Sequence, residues 1–172
     1  MRIVLYNPRS NAAGKRIMPF SLLAIGAVLE GEFDYEIVDG NAVADPDAVL
    51  KARLASGAAV FGMTVMPGPQ LEDAFLRTRA LKAADPKAIV IWGGYFPTEH
   101  TEACLTGGWV DFAIRGHGEF ATLNLLRELA AGRDPRTAEG ADGVAFRRAD
   151  GSLVQGAVAR VPNVEDLPVF PF

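Results

Sequence analysis

Five short apolar runs alternate with segments of helical spacing, and this alternation leaves the chain very few possible folds. The runs are RIVLY at 2–6, YEIVDG at 35–40, AAVFGM at 58–63, AIVIWGG at 88–94 and VDFAIRG at 110–116. The helical segments that follow them are 20–31, 45–57, 68–86, 98–108 and 118–135. Strands joined by helical crossovers lie parallel, and the crossovers are right-handed. The sequence therefore predicts an α/β fold with a doubly wound, five-stranded parallel sheet covered by helices on both faces.

The alternation of strand-like runs and helical segments ends after residue 135. In GVAFRRADGSLVQ, 143–155, two strand-like runs flank Asp150-Gly151, a dipeptide that favours hairpin turns. The last eleven residues contain three prolines, as extended linkers often do. We expect a flavodoxin-like or Rossmann-like three-layer sandwich over 1–135, an appended β-hairpin over 136–161, and a Pro-rich linker over 162–172. The linker should be poorly ordered or should pack through Val169, Phe170 and Phe172.

Composition and charge narrow the function. A chain of 172 residues that is 49% hydrophobic can build one ordinary core, and a net charge of −4 without a cluster of Lys or Arg argues against nucleic acid as a partner. The N-terminus lacks a signal-peptide pattern, and no apolar run approaches the roughly 18 residues of a membrane span. We therefore expect a cytoplasmic protein without a membrane span. The single cysteine, Cys104, cannot form an internal disulfide or hold an iron–sulfur cluster alone.

The loops after the strands carry the unusual chemistry, because ligands of open parallel sheets collect at the carboxyl ends of the strands. The first of these loops, 7–19, lacks the glycines of a phosphate loop or of a dinucleotide fingerprint. The third strand does not end in the aspartate of a phosphoryl-accepting receiver domain, and the Gly-x-Ser-x-Gly elbow of hydrolases is absent. The sequence thus predicts no catalytic residues.

Glycines end the third and fourth strands, at Gly62 and at Gly93-Gly94. A glycine lets a bulky group lie against the backbone without meeting a Cβ, which favours a large ligand with an inserted tail. Two structural explanations remain open. Gly93-Gly94 can simply end a strand in a tight turn, and the hydroxyl of Thr64 can be satisfied by local backbone.

Five motifs resemble the cobalamin-binding domain that precedes the catalytic barrel in cobalamin-dependent radical S-adenosylmethionine enzymes. They are NPRSNAAGKRIMPFSLLAIGAVLEG after the first strand, FGMTVMPGPQ at the third, IWGGYFPTEHTEACL at the fourth, VDFAIRGHGEFATLNLLREL at the fifth, and the hairpin with EDLPVFP. Each motif is weak alone, but all five occur in the order and spacing of the family, and together they cover nearly the whole chain. The resemblance implies that cobalamin is the cofactor.

In that family the corrin ring lies over the carboxyl edge of the sheet and the dimethylbenzimidazole nucleotide tail enters beside the third and fourth strands. Replacing Gly94 by leucine should then abolish cobalamin retention and leave the protein folded. Arg9, with Lys15 and Arg16, could reach corrin amides or the tail phosphate, although we prefer to interpret them as solvated loop cations. An apolar, aromatic-rich group on adjacent loops is suited to covering the macrocycle, but its members could equally be core residues or contacts to a missing domain; they are Met63, Met66, Trp92, Tyr95 and Phe96. The residues carried over as cofactor-binding are Asn7, Pro8, Arg9, Gly62, Met63, Thr64, Val65, Met66, Gly93, Gly94, Tyr95, Gly116 and His117.

The same resemblance implies that no protein nitrogen coordinates cobalt from below. The loop at 7–19 contains no histidine. His100 and His117 follow strand ends, but we expect His117 to be a turn residue rather than a metal ligand.

The chain lacks the three-cysteine motif of radical chemistry. The iron–sulfur cluster, S-adenosylmethionine and turnover by methyl transfer or cyclisation are therefore expected in a C-terminal radical S-adenosylmethionine barrel that this chain does not include. The alternative is a non-catalytic flavodoxin-like module that binds a protein partner or another small ligand.

Overall fold

One mixed sheet organises the protein, for which the computed structural model describes residues 1–10, 17–137 and 139–171. The strands in the described ranges are β1 (Arg2–Asn7), β2 (Asp34–Asp39), β3 (Ala58–Thr64), β4 (Ile89–Gly93), β5 (Phe112–Ile114), β6 (Val144–Arg147) and β7 (Leu153–Gln155). Their order across the sheet is β2-β1-β3-β4-β5-β6-β7. β1 to β5 are parallel, whereas β6 runs antiparallel to β5 and β7 to β6. The predicted fold class is confirmed, and the hairpin extends the sheet.

Helices cover both faces of the sheet. They are α1 (Phe20–Leu29), α2 (Pro46–Ala55), α3 (Pro69–Ala84), α4 (Tyr95–Glu99), α5 (Thr101–Thr106) and α6 (Gly118–Ala130). Successive strand residues point to opposite faces, so Ile3 and Leu5 join the core under α1 and α6, while Val4 and Tyr6 join the core under α2, α3 and α5. In the described ranges, none of these helices has the length and apolar character needed to cross a membrane.

The chain turns into a helix directly after β4, earlier than the predicted start at residue 98. Gly94 has φ +100°, and this backbone turn lets the Phe96 N–H donate to the Val65 carbonyl at 3.0 Å. α4 therefore begins at Tyr95, and His100 separates it from α5. The predicted helix over 98–108 is thus two short helices.

The segment 156–161, which we call the strap, follows β7 and returns across the end of β5. Ala159 forms a parallel bridge to Gly116, and the His117 N–H donates to the Ala159 carbonyl at 3.0 Å. Arg115 donates its N–H to the Gly143 carbonyl and accepts from the Ala159 N–H at 3.0 Å. β5 ends at Ile114, short of the predicted 116, because the chain beyond it pairs with the strap.

The proline-rich segment lies mostly extended, with one 3₁₀ turn at Val164–Asp166 in its described part. The Phe170 ring lies 6.1 Å from the ring of Phe20 at the start of α1. Val169 is exposed, and Phe172 lies outside the described residues. Of the three predicted anchors, Phe170 is therefore the one that we find against the domain.

Candidate cofactor-binding site

The glycines of β3 and β4 lie on the same face of the sheet, near its carboxyl edge. Gly62 is paired with Ile91, and two residues further along Thr64 is paired with Gly93. Leu5 of β1 stands beside Gly62 in the same register. Because residues two apart share a face, these positions all point towards α1 and α6. The two strand-end glycines therefore border a single space.

That space is a cavity of ≈ 210 Å³ between the sheet and helices α1 and α6. Apolar side chains form most of its walls, and polar groups from Ser21, Thr64, Glu119 and Thr122 border it. The full lining is Leu5, Ser21, Leu22, Ile25, Gly62, Met63, Thr64, Ile91, Gly93, Gly94, Ile114, Gly116, His117, Gly118, Glu119 and Thr122. A mostly apolar cavity with a few convergent polar groups is the usual form of a small-molecule site.

Gly93 keeps this cavity open. A Cβ at position 93 would meet, within 4 Å, only the Cβ of Ile114 at 3.5 Å, which is an ordinary van der Waals contact. At Gly62 a Cβ would lie 3.1 Å from the Cδ2 atom of Leu5. The backbone conformation at position 93 does not require glycine. The effect of having no side chain there is that the cavity in front of the residue stays free.

Gly94 is glycine for a different reason. Its φ of +100° lies in the region that L side chains rarely adopt, and a Cβ there would lie 3.1 Å from Val65 N and 3.2 Å from Val65 O. The strand-end turn explanation therefore holds for Gly94 but not for Gly93. A Gly94→Leu substitution therefore strains this turn, so it lowers stability as well as any cofactor binding, and its predicted effect on cobalamin retention stays a prediction.

Hydroxyls and one carboxylate supply the polar part of the lining. Ser21 Oγ, at the start of α1, donates to Thr64 Oγ1 at 3.2 Å and so links the helix to the end of β3. Thr64 thus has a side-chain partner across the cavity rather than the local backbone partner considered above. Glu119 and Thr122 project from the first turns of α6, and Glu119 Oε2 is buried without a partner in the described chain.

The strap fixes the orientation of His117. His117 is exposed, and its Nδ1 accepts a hydrogen bond from the Val161 N–H at 3.1 Å. An imidazole that accepts at Nδ1 carries its proton on Nε2 when neutral. Gly116 is held close to the strap, because a Cβ there would collide with the carbonyl oxygen of Ala159. Both residues line the cavity, and their contact with the cofactor stays a prediction.

The predicted residues after β1 have other contacts. Asn7 is buried, donates to Asp39 Oδ1 at 2.9 Å, and accepts from Gln70 Nε2 at 3.1 Å. The carbonyl of Pro8 also accepts from Gln70, at 3.4 Å. None of the three residues Asn7, Pro8 and Arg9 lines the cavity.

The guanidinium of Arg9 donates hydrogen bonds to backbone carbonyls of the protein. Its Nε donates to the Gly40 carbonyl at 2.9 Å, and its Nη2 donates to the carbonyls of Val43 and Ala44, both at 2.7 Å. Arg9 is exposed, as a solvated loop cation would be, and its guanidinium also ties two strand-end loops together. Lys15 and Arg16 lie outside the described residues.

The other predicted residues divide between core and surface. Val65 is fully buried and fixed through its backbone, whereas Met66 and Tyr95 are exposed beyond the ends of β3 and β4. Met63 and Trp92 belong to the core on the opposite face, where Trp92 Nε1 donates to Thr78 Oγ1 at 2.9 Å. The side chains of Met63 and Trp92 are therefore core residues, the alternative that the sequence left open, although Met63 is also among the residues that line the cavity.

Several residues that line the cavity, most of them on α1 and α6, were not predicted from the sequence. The lining residues not predicted are Leu5, Ser21, Leu22, Ile25, Ile91, Ile114, Gly118, Glu119 and Thr122. A usable signal was present: the helical members recur at the three- and four-residue spacing of a helix face, and the strand members lie two residues from predicted ones.

A second cavity, of ≈ 520 Å³, lies on the opposite face and is bordered by α3 and α5. Aromatic side chains such as Phe75, Phe96 and Trp109 dominate its lining, which also includes Cys104. Burial raises the pKa of the Cys104 thiol to about 11, so the thiolate is scarce at neutral pH. We assign the candidate site to the smaller cavity, because it lies at the glycine-lined strand ends where ligands of parallel sheets collect.

Comparison with known protein families identifies the domain. The B12 binding domain family matches residues 10–126, about two thirds of the chain, and these residues include the glycine-lined strand ends. The chain belongs to the B12-binding domain family. This result confirms the predicted family and cobalamin as its cofactor.

Two curated relatives are anaerobic magnesium-protoporphyrin IX monomethyl ester cyclases. The enzyme of Synechocystis sp. is 32% identical over 193 aligned positions, which cover 99% of this chain and 35% of the relative. The enzyme of Rubrivivax gelatinosus is 28% identical over 100 positions, covering 58% of this chain and 18% of the relative. The B12-binding domain therefore spans about a third or less of the length of these relatives.

Solved structures of two cobalamin-dependent radical enzymes have the same fold. The radical S-adenosylmethionine methyltransferase TsrM from Kitasatospora setae, with cobalamin and a [4Fe-4S] cluster bound, matches with a TM-score of 0.75 and 22% identity over 99% of this chain and 31% of its own. OxsB with aqua-cobalamin bound matches with a TM-score of 0.80 and 17% identity over 98% of this chain and 24% of its own. At this identity the likeness shows the fold.

Proposed function

We propose that this domain holds the cobalamin of a larger radical S-adenosylmethionine enzyme and takes the nucleotide tail of the cofactor into the cavity under α1 and α6. The observation that carries the proposal is Gly93, where the fold has room for a side chain and leaves the room open to the cavity. Gly62 borders the same cavity, beside Ile91 and one residue pair away from Gly93 on the same face.

The lining fits an aromatic tail. Leu5, Ile25, Ile91 and Ile114 offer apolar walls to both sides of a flat ring. An apolar cavity of about 150 Å³ is known to bind benzene, so ≈ 210 Å³ suits a larger aromatic group. The Ser21–Thr64 hydroxyl pair supplies a donor for a ring nitrogen at the same site.

Exposed apolar side chains at the strand ends fit the broad part of the cofactor. Phe20, Met66 and Tyr95 are exposed and lie at the start of α1 or just beyond β3 and β4. We assign these side chains to contacts with the corrin ring. Asn7, Pro8 and Arg9 then act indirectly, by fixing the loops around this edge through the contacts described above.

We assign the reaction of the larger enzyme to its regions outside this domain. Cobalamin supplies cobalt-centred alkyl-transfer and redox chemistry when it is bound. The names of the relatives support methyl transfer or a cyclase reaction, and the [4Fe-4S] cluster of TsrM supports a partner region that carries the cluster and S-adenosylmethionine. The domain described here would bind and orient the cofactor and shield its tail from water.

Titration of the chain with hydroxocobalamin, followed by absorbance and by the amount that stays with the protein after gel filtration, tests the proposal. We expect saturable binding of one cobalamin per chain, and weaker binding of cobinamide, which lacks the nucleotide tail. Elution of all corrin at the position of the free cofactor, at protein concentrations up to the millimolar range, would overturn it. Equal affinity for cobalamin and cobinamide would contradict the assignment of the nucleotide tail to the cavity.

A further inference from the structure

Thr98 joins two strand ends that border the cavity. Its Oγ1 donates to the Gly94 carbonyl at 2.8 Å and accepts from the Gly116 N–H at 3.0 Å. Gly94 follows β4 and Gly116 follows the end of β5, and both residues line the cavity. Thr98 itself lies on α4 and, within the described chain, is not one of the lining residues. A single hydroxyl therefore connects two walls of the site from outside it.

The ends of β4 and β5 are otherwise separate at this edge of the sheet. The last pair between the two strands, in the part of the chain that the structure describes, is Trp92 with Ala113. Further along, the strap bonds the residues on either side of Gly116. In a parallel bridge these neighbours make the hydrogen bonds, so the N–H of Gly116 itself points away from the strap. The Thr98 hydroxyl accepts this N–H and takes the place of a further bond of the sheet.

Ordinary helix chemistry explains only half of this arrangement. A threonine on a helix often donates to the carbonyl four residues earlier, and Thr106 of α5 does so with Glu102 at 2.7 Å. The bond from the Gly116 N–H is additional and joins residues 18 positions apart. The Gly94 carbonyl also accepts from the backbone N–H of Thr98 at 3.3 Å, so it would keep a partner without the hydroxyl. The group that depends on the hydroxyl is the Gly116 N–H.

We propose that Thr98 is a positioning residue of the cofactor site, whose hydroxyl fixes the separation of the ends of β4 and β5 and keeps the cavity in the form that accepts the nucleotide tail. This inference rests on the proposed binding of the tail in the cavity. Without the hydroxyl, the half-buried Gly116 N–H regains a partner only if water enters or the strand ends shift. Because the cofactor binds the competent form, its apparent affinity falls with the population of that form.

The test compares variants of Thr98 by titration with hydroxocobalamin. Thr98→Val keeps the branched shape and removes the hydroxyl, whereas Thr98→Ser keeps the hydroxyl. The loss of one net hydrogen bond should weaken binding roughly 2- to 10-fold in Thr98→Val, and Thr98→Ser should bind like the wild type. Thr106→Val is the matched control, because Thr106 Oγ1 likewise donates to an earlier carbonyl and lies 3.3 Å from Arg147 Nη2, away from the cavity. This control should also bind like the wild type.

Two kinds of result in the titrations would overturn the inference. Thr98→Val that binds like the wild type, or Thr98→Ser that binds as weakly as Thr98→Val, would show that the hydroxyl does not position the site. Cobinamide, which lacks the nucleotide tail, should be affected much less than cobalamin by Thr98→Val. An equal loss for both corrins would contradict the assignment of the hydroxyl's effect to the tail cavity.

Hydrogen exchange of the Gly116 amide, followed by nuclear magnetic resonance, tests the link in ligand-free protein. The exchange should be faster in Thr98→Val than in the wild type and in Thr98→Ser, because the amide has lost its acceptor. Equal rates in all three proteins would overturn the inference. Wild-type protein that binds no cobalamin would instead refute the proposed function and leaves this measurement intact. Thermal unfolding of the ligand-free variants checks that each protein is folded at the temperature of the titration.

Discussion

Gly93 gives the sharpest test of the cavity, because a side chain there should affect the ligand and spare the fold. A Cβ at 93 meets only Ile114 Cβ, at 3.5 Å, and its φ is not positive. Replacing a strand glycine by alanine removes backbone freedom from the unfolded chain and gains about 0.5–1 kcal/mol. We therefore expect ligand-free Gly93→Ala protein to unfold at the wild-type temperature or slightly above it.

Binding should respond in the opposite direction. Extra atoms forced into a filled site typically cost about 1–3 kcal/mol, which corresponds to roughly 5- to 150-fold in affinity. Gly93→Ala should lie near the lower limit and Gly93→Leu near or beyond the upper one. Hydroxocobalamin titration followed by absorbance measures both, and cobinamide, which has no tail to displace, should be affected much less.

Gly94→Ala is the matched control, one residue further along the chain. Its φ of +100° and its closeness to the Val65 backbone predict a loss of about 1–3 kcal/mol in the ligand-free protein. For a chain of this size that is about 2–4 °C in Tm for each kcal/mol. A Gly93→Leu protein that folds normally and binds cobalamin within twofold of the wild type would refute the assignment of the tail to this cavity.

Three further outcomes follow from the contacts around the site. Arg9→Ala should lower the free energy of unfolding, measured by urea titration, by about 1–3 kcal/mol, because three loop carbonyls lose their hydrogen-bond donor. If cobalamin binding weakens while this free energy stays unchanged, Arg9 contacts the ligand instead. Electron paramagnetic resonance of the protein loaded with cob(II)alamin should show no axial nitrogen splitting that disappears in His117→Ala, since His117 Nδ1 already accepts from Val161. Backbone amides over 162–171 should exchange hydrogen quickly, and strong protection along this whole segment would contradict the linker assignment.

The layered fold could be predicted because its signals are local. Five apolar runs of strand length, separated by capped helical segments, allow one main architecture, and Asp45 caps α2 as its position before Pro46 suggests, accepting from the Ala48 N–H at 3.1 Å. The hairpin was also visible from Asp150-Gly151. Its place in the sheet was not, because pairing of β6 with β5 depends on contacts between residues about thirty positions apart.

The site could be predicted only in part, and the Asn7-Pro8-Arg9 motif shows why. A polar strand end suits a ligand and suits neighbouring loops equally well, and the sequence does not reveal which carbonyls lie within reach. The carbonyls that Arg9 binds belong to residues 31 to 35 positions away. Likewise, Glu119 could be placed at a helix start from the sequence, but its position in the cavity lining depends on how α6 packs on the sheet.

The cavity itself argues for an occupant. The cavity is partly open to solvent, so its apolar walls are in contact with water, and a ligand that covers them gains about 25 cal/mol per Å² of apolar surface buried. The side chain that would cover part of these walls is missing at Gly93, where the backbone would accept one. An alanine there would stabilise the ligand-free strand, so the folded chain alone does not explain the glycine. A ligand that lies against the same walls does explain it.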